Sequence, residues 1–167
     1  MAYKKKSWQE KLADKKNLPK TLKLQRKFPC YNAVHSMGAD VGDDIVLVNP
    51  GEIVALMKQV PKGKLITLVE ICKEVAQNHH VKGCCSLTTG IFIMTAAHAT
   101  EEAAAEGKSL AIPYWRTLKT DGVLNDKYPG GALAQKKLLE QEGFTILKTG
   151  KKFMVKDFEN YIEEVNL

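Results

Sequence analysis

Two helix-start signals joined by a short turn constrain the fold of this chain more than any other sequence feature. Thr67 and Glu70 have the spacing of a capping box, and apolar residues follow them at helical intervals. Residues 78–83 have the composition of a turn, and Ser86 is predicted to cap a second helix that fades towards Gly107. This order predicts a helix-turn-helix, whose second helix can lie in the major groove of DNA. Helical hairpins also occur in proteins that bind no DNA, so the pattern alone leaves the function open.

Further local signals predict helices and short strands on both sides of this pair. Residues 28–44 show little periodicity, which suggests an irregular connection. The other predicted elements are a helix capped by Ser7 and Glu10, a strand over Ile45–Val48, a helix opened by Asn49 and Pro50, a turn at 120–122, a helix over Ala132–Glu142, a hairpin around 149–151 and a short helix after Asp157. This mixture of helices and short strands predicts an α+β fold.

The chain is basic, with a formal net charge of +6. Its N-terminal segment is rich in lysine from Lys4 to Lys27, against only Glu10 and Asp14. Excess positive charge concentrates polyanions, because each phosphate contact releases condensed counterions. Two interpretations of the segment stay open at this point: an arm on DNA phosphates, or a solvated helix that Trp8 docks onto the domain.

Cysteine usage and hydropathy predict a cytoplasmic protein. The four cysteines are Cys30, Cys72, Cys84 and Cys85. They are too few and too unevenly placed for a secreted disulfide framework. No apolar run is long enough for a membrane span, and none follows the first lysines to form a signal peptide. His79 and His80 lie close to Cys84, but adjacent pairs do not match the spacing of zinc ligands, so we expect no metal and no cofactor.

From Val60 to Phe144 the order of motifs resembles the C-terminal domain of the O6-alkylguanine-DNA alkyltransferases and of the alkyltransferase-like proteins. Pro61-Lys62-Gly63-Lys64-Leu65-Ile66-Thr67 resembles the family's Pro-x-Gly-Lys-Val-x-Thr entry to the helix-turn-helix, and Ile112-Pro113-Tyr114-Trp115-Arg116 resembles its Ile-Pro-Cys-His-Arg active-site strand. Asp121-Gly122-Val123-Leu124, Gly130-Gly131, Gln135 and residues 138–143 follow at family-like spacing. The resemblance implies a winged-helix-like alkyltransferase domain over 45–144. A basic N-terminal extension over 1–44 would pack on it, and a C-terminal β-hairpin and helix over 145–167 would close it.

Two substitutions in the resembled active-site strand change its chemistry. Removing an alkyl group from O6 of guanine needs a cysteine thiolate activated by an adjacent base. The resemblance implies that cysteine at position 114, a histidine at 115 and a glutamate near 142, whereas this chain has Tyr114, Trp115 and Glu142. A phenol with a reference pKa of about 10 is a poor acceptor at neutral pH, and an indole cannot relay a proton as imidazole does. We therefore expect no self-alkylation at this site; the remaining enzyme alternative is a relocated nucleophile, Cys84 or Cys85.

Alkyltransferase-like proteins also lack the cysteine, and the resemblance therefore implies a DNA-repair sensor. Such a protein binds duplex DNA containing O6-alkylguanine, flips the base and passes the lesion to a repair-protein partner. Tyr114 would either offer its flat ring to the base or fill the vacated cavity. The implied lesion pocket comprises Pro113, Tyr114, Trp115, Arg116 and Glu142. The implied DNA-binding residues are Lys62, Lys64, Thr67, Lys82, Ser86, Thr88, Thr89 and Gly90.

Three departures from the family pattern weaken the sensor interpretation. Leu68 replaces a tyrosine that helps to rotate the nucleotide, and Gly90 or a neighbouring threonine replaces an arginine that fills the gap in the base stack. An acidic, alanine-rich stretch, Thr100–Gly107, follows in place of the family's Asn-Pro. The alternatives are a generic DNA-binding module or a protein-interaction module on the same fold. Lys151 and Lys152 on the C-terminal hairpin could contact phosphate, but a solvated turn is the preferred interpretation.

Overall fold

Six helices and seven short strands make up the part of the chain that the computed structural model describes, residues 2–15 and 17–167. The helices are α1 (Trp8–Ala13), α2 (Tyr31–Ser36), α3 (Pro50–Lys58), α4 (Leu68–Asn78), α5 (Ser86–Ala105) and α6 (Gly131–Gln141). The strands are β1 (Lys20–Lys23), β2 (Asp44–Leu47), β3 (Ile66–Thr67), β4 (Gly83–Cys84), β5 (Thr117–Leu118), β6 (Ile146–Thr149) and β7 (Lys152–Val155). Short 3-10 turns lie at Tyr114–Arg116 and Phe158–Tyr161. The predicted α+β class is confirmed.

Local capping signals set the starts of three helices where the sequence predicted them. Ser7 caps α1 and Thr67 caps α4, each in a capping box with a glutamate three residues later. Asn49 caps α3 through its side-chain oxygen, which accepts from the Glu52 amide at 3.2 Å. Each cap satisfies an amide that has no partner inside its helix.

Helix α5 begins differently from the prediction. Its N-cap residue is Cys85, which makes no side-chain capping bond, and Ser86 is the first helical residue. The prediction that Ser86 caps this helix is therefore wrong. The reason is the preceding strand: the Cys85 amide donates to the Val46 carbonyl at 3.0 Å, so the chain stays extended through Cys85.

The alanine-rich stretch forms the end of α5 and holds α1. Alanine has the highest helix propensity, which allows α5 to continue through Ala105. The Glu102 carboxylate accepts from the backbone amides of Trp8 at 3.0 Å and Gln9 at 3.1 Å, at the first turn of α1. Trp8 also stacks on His98, with ring centroids 4.4 Å apart. The structure thus supports the interpretation in which Trp8 docks the N-terminal helix.

Three small sheets position the helix pair and the Tyr114 turn. The first has the order β1-β2-β4, with β1 antiparallel and β4 parallel to β2, and it leads directly into α5. In the second, β3 pairs in parallel with β5, which brings the Tyr114–Arg116 turn beside the start of α4. The third is the β6–β7 hairpin, confirmed as predicted.

The main hydrophobic core lies between α3, α4 and α5 and includes the rings of Tyr114 and Tyr128. A separate cluster, with Leu65, Leu139 and Val155 at its centre, attaches the C-terminal hairpin. Within residues 2–15 and 17–167, no helix is long and apolar enough to cross a membrane. The domain boundaries after residues 44 and 144 stay predictions.

Candidate functional site

Tyr114 is part of the core and does not face an open pocket. Its side chain is buried, with 3% of the residue exposed, and its hydroxyl donates to Oε1 of Glu101 at 2.7 Å. Its ring meets the rings of Trp115 and Tyr128 edge-on, at centroid distances of 5.4 and 5.2 Å. Burial, and then the Glu101 carboxylate, raise the pKa of the Tyr114 phenol. The phenol therefore stays protonated, as a hydrogen-bond donor, at neutral pH.

Glu142 and Arg116 form a half-buried ion pair next to Trp115. Nη2 of Arg116 lies 2.5 Å from Oε1 of Glu142, and the two side chains are 15% and 8% exposed. The indole Nε1 of Trp115 donates to Oε2 of Glu142 at 2.8 Å. Arg116 Nη1 also donates to the Val60 carbonyl at 2.8 Å. Both carboxylate oxygens of Glu142 thus accept hydrogen bonds, which hold Trp115 and Arg116 in place.

Gln135 and Tyr128 fix the backbone that carries these side chains. Gln135 is buried on α6; its Nε2 donates to the Trp115 carbonyl at 3.0 Å, and its Oε1 accepts from the Asn125 amide at 2.7 Å. The Tyr128 hydroxyl donates to the Thr117 carbonyl at 2.8 Å. The turn at Tyr114 is therefore locked from two sides.

A cavity of about 230 Å³ opens beside the first turns of α5. Its apolar lining includes Leu68, Leu87, Ile91, Met94, Leu118 and Tyr128. Lys119 and Lys127 also line it, and no acidic side chain of the described residues does. None of the five implied lesion-pocket residues lines this cavity, because Tyr128 stands between it and Tyr114. Of the two alternatives for Tyr114, the burial and ring contacts favour the one in which Tyr114 and Trp115 fill the vacated space. The assignment of the five residues to a lesion pocket stays a prediction.

The structure divides the implied DNA-binding residues into two groups. The exposed or half-exposed residues are Lys62, Lys64, Lys82, Ser86, Thr88 and Gly90. Thr67 and Thr89 are 1% and 0% exposed. The Thr67 hydroxyl bonds to Glu70, and that of Thr89 donates to the Cys85 carbonyl at 2.8 Å. Neither threonine can reach DNA from this position, which corrects the prediction for these two residues.

A second cavity, of about 420 Å³, extends the first along the surface, since Leu68 and Lys119 line both. Lys151–Lys152 of the β6–β7 hairpin line it, as do Asp121 and Asp126. Asp126 pairs with Lys119 at 3.2 Å. The sequence singled out Lys151 and Lys152 but not Lys119, because only the tertiary fold brings the loop after β5 and the hairpin tip towards α4 and α5.

The relocated-cysteine alternative does not fit the structure. Cys84 is 0% and Cys85 5% exposed, so neither thiol is accessible to an alkylated base. The neighbouring Cys72 thiol, and then burial, raise the pKa of Cys84, which disfavours the thiolate. His79 pairs with Glu52 at 2.8 Å. No group of histidine, cysteine, aspartate and glutamate side chains in the described residues could hold a metal ion.

Comparison with known proteins gives a likeness of fold. A crystal structure of S. pombe ATL in complex with DNA is 20% identical in sequence, with a TM-score of 0.51, and the match covers 69% of this chain and 94% of that chain. A structure of S. pombe Atl1 in complex with damaged DNA containing O6-carboxymethylguanine is 19% identical, with a TM-score of 0.49 and the same coverage. No protein-family model matches the sequence, and a search of curated proteins gave no significant match. This chain has the fold of the S. pombe alkyltransferase-like protein, which agrees with the family that the motifs resemble.

Proposed function

We propose that this chain is a DNA-binding alkyltransferase-like protein that recognises alkylated guanine without removing the alkyl group, and so acts in DNA repair. The proposal rests on two features found together. The residue at the position that would accept the alkyl group is unreactive, and a cavity is open beside α5. Tyr114 is buried and bonded to Glu101, while an apolar cavity with two lysines opens beside α5. A flat, apolar ligand with a polyanionic backbone, such as a flipped DNA base, fits that combination.

Duplex DNA is the proposed partner because of the shared fold and the charge around the cavity. The S. pombe ATL structure is a complex with DNA. Lys119 and Lys127 line the cavity beside α5, and Lys62, Lys64 and Lys82 are exposed. Lysine contacts to phosphate supply affinity that is independent of sequence, and they fix the register of the protein on the duplex.

Alkylated guanine is the proposed ligand because the motif order resembles that family, and the open cavity lies beside Tyr128, which is itself 3% exposed. Tyr128 lines the cavity, and its hydroxyl is held by the Thr117 carbonyl. Burial raises the pKa of the Tyr128 phenol, so this ring also stays neutral. We also propose a repair-protein partner that takes over the bound lesion.

The test combines binding with mass spectrometry. The protein is mixed at low salt with a duplex that carries one O6-methylguanine, and complex formation and the intact protein mass are both measured. We expect a complex and an unchanged mass, because the cysteines are buried and the phenol at position 114 is protonated. Absence of binding would reject the DNA proposal. A methyl adduct on the protein would show that the alkyl group is transferred, against the proposal.

A protein-interaction module is the second candidate. Leu87 and Ile91 are 52% and 49% exposed on α5, and exposed apolar surface of this kind also serves protein partners. This candidate predicts that DNA binding vanishes at physiological salt while a stoichiometric complex with one protein persists. Retention of DNA binding at that salt, with selectivity for the lesion, would exclude it.

A further inference from the structure

Residues 2–6, which precede α1, form an exposed basic segment. They include Lys4, Lys5 and Lys6. Lys6 pairs with Asp14 at 2.8 Å, whereas Lys4 and Lys5 form no ion pair within the described part of the chain. Two ammonium groups of this segment are therefore available to an external anion.

The docking of α1 fixes the side of the domain from which this segment extends. Trp8 stacks on His98 of α5, with ring centroids 4.4 Å apart, and Lys11 lies over the Trp8 ring with its Nζ 4.2 Å from the centroid. Gln9 and Ala13, on a different face of α1, border a groove beside α3. The side of α1 that carries Trp8 and Lys11 is therefore turned towards His98.

His98 connects this side of α1 to the cavity beside α5. Met94 lines the cavity, and His98 follows it by one helical turn on the same face of α5. The Nε2 of His98 also donates to the Lys127 carbonyl at 2.8 Å, and Lys127 lines the cavity. The unpaired lysines of the segment come at most four residues before Trp8, so they lie within about 14 Å of it even in an extended chain. They thus continue the positive charge of Lys127 along α5.

The acidic side chains next to α1 do not neutralise these lysines. Glu102 and Glu106 of α5 face α1 and accept hydrogen bonds from Gln9. Glu10 accepts from the Ser7 amide at 2.7 Å, within the capping box. These carboxylates are thus directed at the helix, and the positive charge around its start remains for a partner.

That partner has to carry negative charge over a distance longer than one nucleotide. Ile91 in the cavity lining and His98 stacked on Trp8 are seven residues apart on α5, which corresponds to about 10 Å along the helix. About three base pairs of B-DNA rise over that length, each with two phosphates. The backbone of a duplex whose flipped base enters the cavity can therefore reach the lysines around α1.

We propose that Lys4, Lys5 and Lys11 form a clamp on the phosphates of a DNA duplex beside the cavity, and that α1 anchors this clamp on α5. The inference rests on the proposed function, since it adds a backbone contact to the same DNA complex. Docking by Trp8 and phosphate contact by the lysines are compatible, because the docked ring holds the segment on the Lys127 side. Such a clamp adds affinity for duplex DNA of any sequence and leaves discrimination of the lesion to the cavity.

The test measures the salt dependence of binding to duplexes that carry either one O6-methylguanine or guanine at the same position. Wild type is compared with Lys4→Ala/Lys5→Ala, which removes two charges from an exposed segment outside every helix and strand. Trp8→Ala keeps every charge and removes the anchor. Lys58→Ala/Lys137→Ala is the matched control, because these exposed lysines of α3 and α6 form no ion pair among the described residues and line neither cavity. Circular dichroism checks the fold.

For Lys4→Ala/Lys5→Ala we expect the slope of the logarithm of the association constant against the logarithm of salt concentration to become shallower by about 2, because each phosphate contact contributes about 0.9. Both duplexes should weaken by the same factor, which leaves selectivity for the lesion unchanged. Trp8→Ala should also give a shallower slope, whereas the control should keep the wild-type slope.

A slope for Lys4→Ala/Lys5→Ala no shallower than that of the control would overturn the clamp and leave the proposed function standing. A wild-type slope in folded Trp8→Ala would overturn the anchoring by α1. Failure of wild type to bind either duplex would overturn both proposals.

Discussion

Glu101 and Glu142 are the two carboxylates that accept hydrogen bonds from the side chains of the Tyr114–Arg116 turn. Glu101 accepts from the Tyr114 hydroxyl at 2.7 Å, and Glu142 accepts from Trp115 and Arg116. The lone pairs of Glu142 are occupied by an indole and a guanidinium, so this carboxylate holds the turn in place.

Glu142→Gln tests whether this carboxylate is mainly structural. The change leaves the half-buried Arg116 guanidinium without its counter-ion, so we expect a loss of about 3 kcal/mol in the free energy of unfolding. Chemical denaturation at neutral pH measures it. Glu140→Gln, two residues earlier in the last turn of α6, is the matched control: its exposed pair with Lys136 should contribute about 0.5 kcal/mol. A loss no greater for Glu142 than for Glu140 would refute the structural role.

Helix starts that depend on residues close together in the chain were predictable from the sequence, whereas the docking of α1 on α5 was not. The capping boxes at Ser7 and Thr67 join residues three apart, so the sequence contains the whole interaction. The contact of Glu102 with Trp8 spans 94 residues, and nothing local predicts that the acidic, alanine-rich stretch would hold α1. The prediction of a cap at Ser86 was wrong for the same reason: a long-range contact, the pairing of β4 with β2, decides where α5 begins.

Docking of α1 should depend on pH through Glu102. The Trp8 amide, followed by the side chain and amide of Gln9, holds the pKa of Glu102 below the usual glutamate value. A lowered pKa in the folded state means that this stabilisation is present above the unfolded pKa and is lost as pH falls through the folded pKa. We expect the Trp8 and Gln9 amide resonances to shift together below the ordinary glutamate range, as NMR would record.

Two variants provide the controls for this pH dependence. Glu102→Gln should abolish the shared titration. Glu106→Gln should keep it, because Glu106 contacts the Gln9 side chain, at 3.2 Å, and Lys108, at 3.5 Å, whereas the Trp8 and Gln9 amides donate to Glu102. Amide shifts that titrate equally in Glu102→Gln would contradict the assignment.

Two glycines predict opposite effects of the same substitution. Gly122 has a φ of 74°, and a Cβ atom there would overlap the ring of Phe158, where the C-terminal hairpin attaches. Gly122→Ala should therefore cost about 2 kcal/mol or more. Gly90 lies inside α5 with open space around it, so Gly90→Ala should stabilise the protein by about 0.5–1 kcal/mol. Urea unfolding midpoints measure both, and shifts of equal sign would be inconsistent with this packing.

For the whole molecule, the order of motifs predicted the fold over the helix pair and the turn that follows it, and the likeness to S. pombe ATL confirms that fold. The motifs also predicted that the acceptor chemistry is missing, since Tyr114 and Trp115 are visible in the sequence. They did not predict where the cavity opens. That depends on the bond from Tyr114 to Glu101 of α5 and on the packing of Tyr128 against Tyr114 beside the cavity, and both are tertiary contacts.

The proposed function requires that the molecule distinguish a methylated from an unmodified guanine without reacting with it. Fluorescence anisotropy at one fixed salt concentration, with duplexes that differ only in a single O6-methyl group, measures this directly. We predict about tenfold tighter binding of the methylated duplex, equivalent to roughly 1.4 kcal/mol. Equal affinity for the two duplexes would contradict lesion recognition and leave only a generic DNA-binding protein on this fold.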